Sequence, residues 1–166
     1  MGFKVTVTTC LLGLFFLSEG VAQAKELTNR LGVGFAESFT EESLPGLAVR
    51  YYPSAHLGLS GSLGVDTKKD SSRFGFIANI HRVIFMEDNL NFYTGAGVGV
   101  LSVETDGKNE SGFEVSSFFG AEFFFYGLDS LAFIFEAGIR LSSFSSEVRF
   151  RTLGTHPIRG GIIFYF

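Results

Sequence analysis

The sequence predicts an all-β protein: an eight-stranded antiparallel up-and-down transmembrane β-barrel with short periplasmic turns and longer extracellular loops. Three observations carry this expectation. After residue 24 the chain divides into eight segments in which bulky residues alternate with small or polar ones, the period of a strand with two unlike faces. The connections between segments alternate between tight turns and longer charged stretches. The last segment, Arg159 to Phe166, alternates to its final residue and stops on an aromatic, where chain ends usually fray into water.

The residues before this barrel read as a cleaved secretory signal, residues 1–24. Lys4 supplies the positive end, Leu11 to Leu17 the apolar centre, and Ala22-Gln23-Ala24 a small-residue cleavage site. The barrel domain is then residues 25–166. Cys10 lies within the signal, so the mature chain carries no Cys, which excludes disulfides, thiolate metal sites and a Cys nucleophile. Beyond the signal no apolar run reaches the roughly 18 residues of a membrane helix. A membrane location therefore requires a closed barrel, which satisfies every backbone group in lipid. Of the residues, 46% are hydrophobic and 18% charged, with 21 Phe and 21 Gly, which suits strands with one bulky and one bare face. A net charge of −4 argues against nucleic acid, which needs basic patches.

Each strand follows from its alternation. Strand one, Arg30 to Ser38, sets Leu31, Val33 and Phe35 against Gly32, Gly34 and Ala36. Strand two, Leu44 to Tyr52, sets Leu47, Val49 and Tyr51 against Ala48, Arg50 and Tyr52. In strand three, His56 to Asp66, Leu57, Leu59, Leu63 and Val65 oppose Gly58, Ser60, Ser62 and Gly64. In strand four, Ser72 to Phe85, Phe74, Phe76, Ala78 and Ile80 oppose Gly75, Ile77, Asn79 and His81. Strand five, Leu90 to Glu104, places Phe92, Ala96, Val98 and Val100 opposite Tyr93, Gly95, Gly97 and Gly99. Strand six, Gly112 to Tyr126, places Phe113, Val115, Phe119, Ala121, Phe123 and Phe125 opposite Glu114, Ser116, Phe118, Gly120, Glu122 and Phe124. Strand seven begins near Leu131 and passes Leu141, with Phe133, Phe135, Ala137 and Ile139 opposing Ala132, Ile134, Glu136, Gly138 and Arg140. Strand eight is the terminal segment, with Gly160, Ile162, Phe164 and Phe166 opposing Arg159, Gly161, Ile163 and Tyr165.

Tight turns are expected at Tyr52–His56, Phe85–Leu90 and Tyr126–Leu131, marked by Pro53, Asp88-Asn89 and Gly127-Leu128-Asp129. The longer loops centre on residues 40–43, 67–70, 105–110 and 142–157. Both ends of the domain then lie at the short-turn rim, facing the periplasm. A soluble barrel of the lipocalin kind would turn its bulky residues inward. Here the second face is too rich in Gly, Ala and Ser to coat a soluble surface, and the terminal strand fits the barrel-assembly signal through Arg159, Gly161, Phe164 and Phe166. Aromatics expected near the rims form two girdles: Tyr51, Phe92, Phe125, Phe133, Phe164 and Phe166 below, Phe35, Phe74 and Phe113 above. Arg82, outward near the lower rim, is placed to snorkel toward headgroups.

From residue 25 onward the chain resembles the small eight-stranded outer-membrane barrels of the OmpA/OmpX-like superfamily. The resemblance is carried by Arg50-Tyr51-Tyr52-Pro53, by Tyr93-Thr94-Gly95-Ala96-Gly97-Val98-Gly99 and by the terminal strand. It implies residence in the outer membrane among its lipid and lipopolysaccharide, insertion by the barrel-assembly machinery, and no added peptidoglycan-binding domain. A monomer is expected, with an external partner reached, if at all, through the loops. Functions within the superfamily differ widely, so the resemblance specifies no activity.

The inward face carries the chemistry. Arg50, Glu122, Glu136, Arg140 and Arg159 are charges inside a narrow barrel, with Asn79 and His81 on the same face. Buried charge must be paired, so these five are expected to form a salt-bridge network across the lumen. Its structural role is to plug and stiffen the barrel. The alternative is an ion gate that exchanges partners. Eight strands enclose a lumen only just wide enough for side chains, and Tyr93, Phe118, Phe124, Ile134, Ile163 and Tyr165 fill it further.

No catalytic, cofactor or metal site is expected. Lipid A deacylases among similar small barrels need a His and a Ser two apart on an outward face, whereas the residues two beyond His56, His81 and two before His156 are Gly58, Val83 and Gly154. Asp129-Ser130 lies on a turn away from any His, and three scattered His make a poor metal site. Gly95-x-Gly97-x-Gly99 is the bare face of a strand rather than a phosphate loop. Residues 146–151 still alternate, so strands seven and eight are expected to protrude as a ledge able to bind another surface by strand addition. The role that fits best is structural or surface-interactive, with a narrow pore for ions or small solutes as the alternative.

Overall fold

The computed structural model describes residues 27–39, 44–69, 71–144, 147–152 and 159–166. It is an all-β, closed antiparallel barrel. The strands are β1 (Leu31–Phe39), β2 (Leu44–Ser54), β3 (Leu57–Lys68), β4 (Ser71–Glu87), β5 (Leu90–Thr105), β6 (Lys108–Phe124), β7 (Leu131–Phe144), β8 (Glu147–Thr152) and β9 (Arg159–Tyr165). Sequential neighbours pair from β1 to β7. β9 lies between β7 and β1 and closes the wall. At the closing seam Gly32 faces Tyr165 and Ala36 faces Gly161. Just past β9, Phe166 exchanges backbone hydrogen bonds with Leu31 at 3.0 and 3.3 Å.

Three expectations about connections need correction. The stretches 67–70 and 105–110 are not long loops, because their strands run on into tight hairpins. Lys68 faces Ser71, and Thr105 faces Lys108. The second hairpin turns on Asp106 and Gly107, both with positive φ (51° and 75°). That backbone suits Asp-Gly in a two-residue hairpin turn, since Gly has no Cβ to clash there. Residues 142–157 are not one loop either. β7 continues to Phe144, and β8 returns along it from Glu147 to Thr152, pairing with Phe144 through Ile139. β8 and β9 thus occupy the upper and lower parts of the same edge of β7, which makes the eighth stave two strands. Of the alternating stretch 146–151, the described residues 147–151 are thus part of a strand paired with β7. The loop expected at 40–43, and His156, Pro157 and Ile158, lie outside the described residues.

Burial follows strand parity along most of the wall and breaks on β4, where the register against β5 shifts between Val83 and Phe85 and leaves Ile84 and Phe85 both exposed. Along β6 the pattern alternates without a break from Phe113 to Gly120. The outward positions are apolar and open: Phe35, Leu63, Val65, Val98, Phe113 and Phe119 are all exposed. Among the described residues, large exposed hydrophobic side chains outnumber buried ones, the reverse of a soluble domain, which seldom shows large contiguous apolar patches. Aromatic contacts ring the lower end, with Phe85, Phe92 and Phe119 stacked in series and Phe125 edge-on to both Phe123 and Phe133.

The lumen holds two clusters. The lower contains Tyr52, Tyr93, Phe118, Phe124, Ile163 and Tyr165. Leu27, which precedes the first strand, is folded into it. The turn that puts it there is tied by Asn29 N donating to Tyr52 O at 2.7 Å and Arg30 N donating to Leu27 O at 2.9 Å. The upper cluster contains Leu44, Ile77 and Leu101. Arg30 fixes the lower rim by donating to Ser130 Oγ and Tyr165 O, both at 3.1 Å.

Candidate functional site

The registers create one cross-strand row at the heart of the lumen. Tyr93 on β5 faces Gly120 on β6, Gly120 faces Glu136 on β7, and Glu136 faces Arg159 on β9. A side chain at Gly120 would collide with the Tyr93 ring. The bare position therefore lets the phenol lie across β6 and donate to Glu136 Oε1 at 2.7 Å. From the other side Arg159 Nε donates to Glu136 Oε2 at 2.8 Å, and its Nη2 donates to the same oxygen. Arg50, reaching across from β2, donates from Nη2 to Glu136 Oε1 and to Tyr93 OH, both at 3.0 Å. Its guanidinium also sits 4.8 Å from the Tyr93 ring centre, within the range of a cation–π contact.

Glu122 is held differently. It is fully buried, and its nearest donors are phenols. Tyr52 OH donates to Oε2 at 2.8 Å and Tyr165 OH donates to Oε1. Arg50 Nη1 stands 3.6 Å from Oε1. Arg50 thus bridges both carboxylates, and two Arg face two Glu, with three Tyr hydroxyls donating to the same carboxylates. Hydrogen-bonded charge of this kind is far less costly than isolated charge in a low dielectric.

Of the five charges expected in one network, the structure brings Arg50, Glu122, Glu136 and Arg159 together. Arg140 is elsewhere, and that expectation is corrected. Its Nη1 donates to Glu114 Oε2 at 2.8 Å in a second, higher layer between β6 and β7. Register explains the split: Arg140 faces Ser116, four residues along β7 from Glu136. Glu114 has the same strand parity as Glu122, and that parity is the signal that could have found it. The Tyr hydroxyls were legible only as lumen filling. Which carboxylate they serve depends on which neighbouring positions are bare.

His81 and Asn79 occupy the inward face of β4. His81 is buried between Tyr52, 5.2 Å away edge-on, and Tyr93, 4.9 Å away. Its ring overlies Gly58, where any Cβ would strike it. Asn79 donates to Ser60 Oγ at 3.3 Å. It lines a small chamber above the lower charge layer together with Ser60, Ser62, Arg50, Glu136 and Arg159. The chamber measures about 20 Å³, room for one water molecule. The Gly95, Gly97 and Gly99 face is filled by neighbours: Phe118 overlies Gly95, Asn79 and Ser116 crowd Gly97, and Ile77 and Glu114 crowd Gly99. Among the described residues no three His, Cys, Asp or Glu gather as a metal site. Arg159, Gly161, Phe164 and Phe166 of the terminal segment alternate in, in, out and out at the seam.

No protein-family model matches the chain, and no curated protein matches it. Among solved structures, the crystal structure of the N-terminal beta-barrel domain of Pseudomonas aeruginosa OprF is similar. It has a TM-score of 0.56 and 14% identity, covering 84% of this chain and 98% of that one. At that identity the likeness shows a shared fold: a small closed antiparallel barrel.

Proposed function

We propose that the chain is an integral outer-membrane β-barrel whose lumen is filled and whose role is structural or surface-interactive. The observation that carries this reading is the inversion of the barrel. Its outward face is apolar from Phe35 to Phe119 while Arg and Glu lie buried inside. Lipid covers such an outward face at no cost, and a closed wall leaves no strand edge within the bilayer. The secretory signal and the barrel-assembly pattern at Arg159, Gly161, Phe164 and Phe166 agree with that placement. Folding into lipid vesicles is read by heat-modifiable migration on a gel. A folded barrel migrates apart from its heated form, and identical migration before and after heating overturns the reading.

The pore reading has one observation in its favour. Arg50 stands between two carboxylates, 3.0 Å from Glu136 and 3.6 Å from Glu122, so a small rotation exchanges its partner. Planar-bilayer recording separates the two. The filled-lumen reading expects silence from the native chain. Steady single-channel steps that change with Glu136→Gln establish the gate instead.

A further inference from the structure

High on the outward wall, β4, β5 and β6 form a recess of about 400 Å³. It arises from one row of the register. Phe74 on β4 faces Ser102 on β5, which faces Ser111 on β6. The flanking Phe113 faces Ser143 on β7. Ser102 on β5 therefore lies between the strands that carry two tall, exposed rings, Phe74 and, one row lower, Phe113, with Ser111 next above Phe113 on the outward face of β6. With adjacent strands about 4.8 Å apart, the rings stand on strands roughly 10 Å from each other, a width that admits one sugar ring. Val100 forms the lower edge, and beneath it the wall is apolar through Val98 and Val115.

We infer that this recess binds the uncharged sugar headgroup of a glycolipid, with its acyl chains lying down the wall below. The inference rests on the membrane reading given above. A neutral sugar offers hydroxyls on its edge and C–H groups on its faces. Here Ser102 meets the edge as an acceptor, and Ser111 and Ser143 add hydroxyls to it. The electron-rich faces of Phe74 and Phe113 meet the C–H groups. The charge around the recess selects against phosphate. No Lys, Arg, Asp or Glu lines it. The next outward residue above Ser102 on β5 is Glu104, an anion held by Ser72 at 3.3 Å. Ser102 donates its proton to Asn109 Oδ1 at 2.9 Å, which leaves its oxygen as an acceptor. A few placed polar groups in an apolar concavity are what fix a ligand's orientation.

The full chain is folded into phosphatidylcholine nanodiscs containing a few per cent of either glucosyl-diacylglycerol or phosphatidylglycerol with the same acyl chains. Lipid retained after release is counted by native mass spectrometry. Insertion is scored first by heat-modifiable migration, and failure there overturns the membrane reading and this proposal with it. For the inserted barrel, one glucolipid is retained over phosphatidylglycerol by about fivefold or more, the weight of roughly one net hydrogen bond. Ser111→Phe fills the recess and abolishes the preference, Ser111→Thr keeps it, and Ser117→Phe, lower on the same outward face, leaves it intact. Equal retention of the two lipids overturns the proposal. So does a glucolipid preference that survives Ser111→Phe, or one that Ser117→Phe removes equally.

Discussion

The lumen contains two charged layers built on Arg and Glu, and they differ in how far across the barrel their ion pairs reach. In the lower layer Glu136 serves two guanidinium groups and a phenol, and Glu122 serves two phenols with Arg50 nearby. In the upper layer Glu114 meets Arg140 alongside the apolar Ile77 and Leu101. The lower layer spans the barrel, drawing from β2, β5, β6, β7 and β9, whereas the upper pair joins neighbours β6 and β7. The first is a cross-brace of the whole cylinder. The second staples two strands that are already hydrogen-bonded.

The sharpest test of this contrast is Glu136→Ala. It removes the anion that Arg50 and Arg159 share, leaving two buried guanidinium groups with Glu122, 3.6 Å from Arg50, as the carboxylate still beside them. Removing one member of a buried pair costs about 3–5 kcal/mol, and the loss here is expected at about 4 kcal/mol or more, read by urea titration of the folded gel band in vesicles. An unchanged midpoint shows that water or headgroups reach the layer, and the cross-brace is then not what stabilises the barrel. Glu114→Ala removes the carboxylate 2.8 Å from the buried Arg140, with an expected loss of about 3 kcal/mol. The layers separate more clearly under double replacement. Glu114→Leu with Arg140→Leu removes both charges beside an apolar cluster and is expected to restore stability to within about 1 kcal/mol of the native chain, because an apolar pair of similar volume can replace a buried ion pair. Replacing Glu136 and Arg159 together by Leu still takes from the buried Arg50 and Tyr93 hydroxyl the oxygen they share on Glu136, so no such recovery is expected there.

This contrast also shows what could be read from the chain. The eight staves of the closed wall, their neighbour order and their facing follow from the period-two alternation, because each segment has one bulky and one small or polar face, whereas the extra strand β8 does not. The inward placement of Arg50, Glu122, Glu136 and Arg159 follows from the same parity. Which charges meet does not, since that depends on axial height and therefore on register between strands. Hence parity alone groups Arg140 with Glu122 and Glu136, whereas register sets it beside Glu114. The hairpins at Lys68–Ser71 and Thr105–Lys108 were hidden for a related reason. Charged residues above an apolar band read as loop, although the ladder continues through them. Leu27 precedes any alternating segment, so no periodicity pointed to it.

A smaller effect measures the phenols alone. Tyr52→Phe removes the hydroxyl that donates to Glu122 at 2.8 Å while keeping the ring against His81 and Tyr165. A hydrogen bond to a charged group is worth about 1.5–3 kcal/mol, and a loss near 2 kcal/mol is expected in the same titration. If Glu122 is held mainly by Arg50, the loss falls well below 1 kcal/mol, and the two lower carboxylates are then alike.

The smallest effect is expected outside the lumen, at Glu147→Gln. On β8, Arg149 Nη2 lies 3.2 Å from Glu147 Oε2, a separation close to those of the buried pairs, but both side chains are largely exposed, at 47% and 70%. Water already solvates each partner, salt screens the attraction, and holding two long side chains in one geometry costs entropy. Such pairs contribute between zero and about 1 kcal/mol, and with this exposure a change below about 0.5 kcal/mol is expected. Distance alone would rank this pair beside Arg50–Glu136. If Glu147→Gln matched Glu114→Ala in the titration, burial would not be what separates strong pairs from weak ones here, and the distinction between the two lumen layers would have to rest on strand span alone.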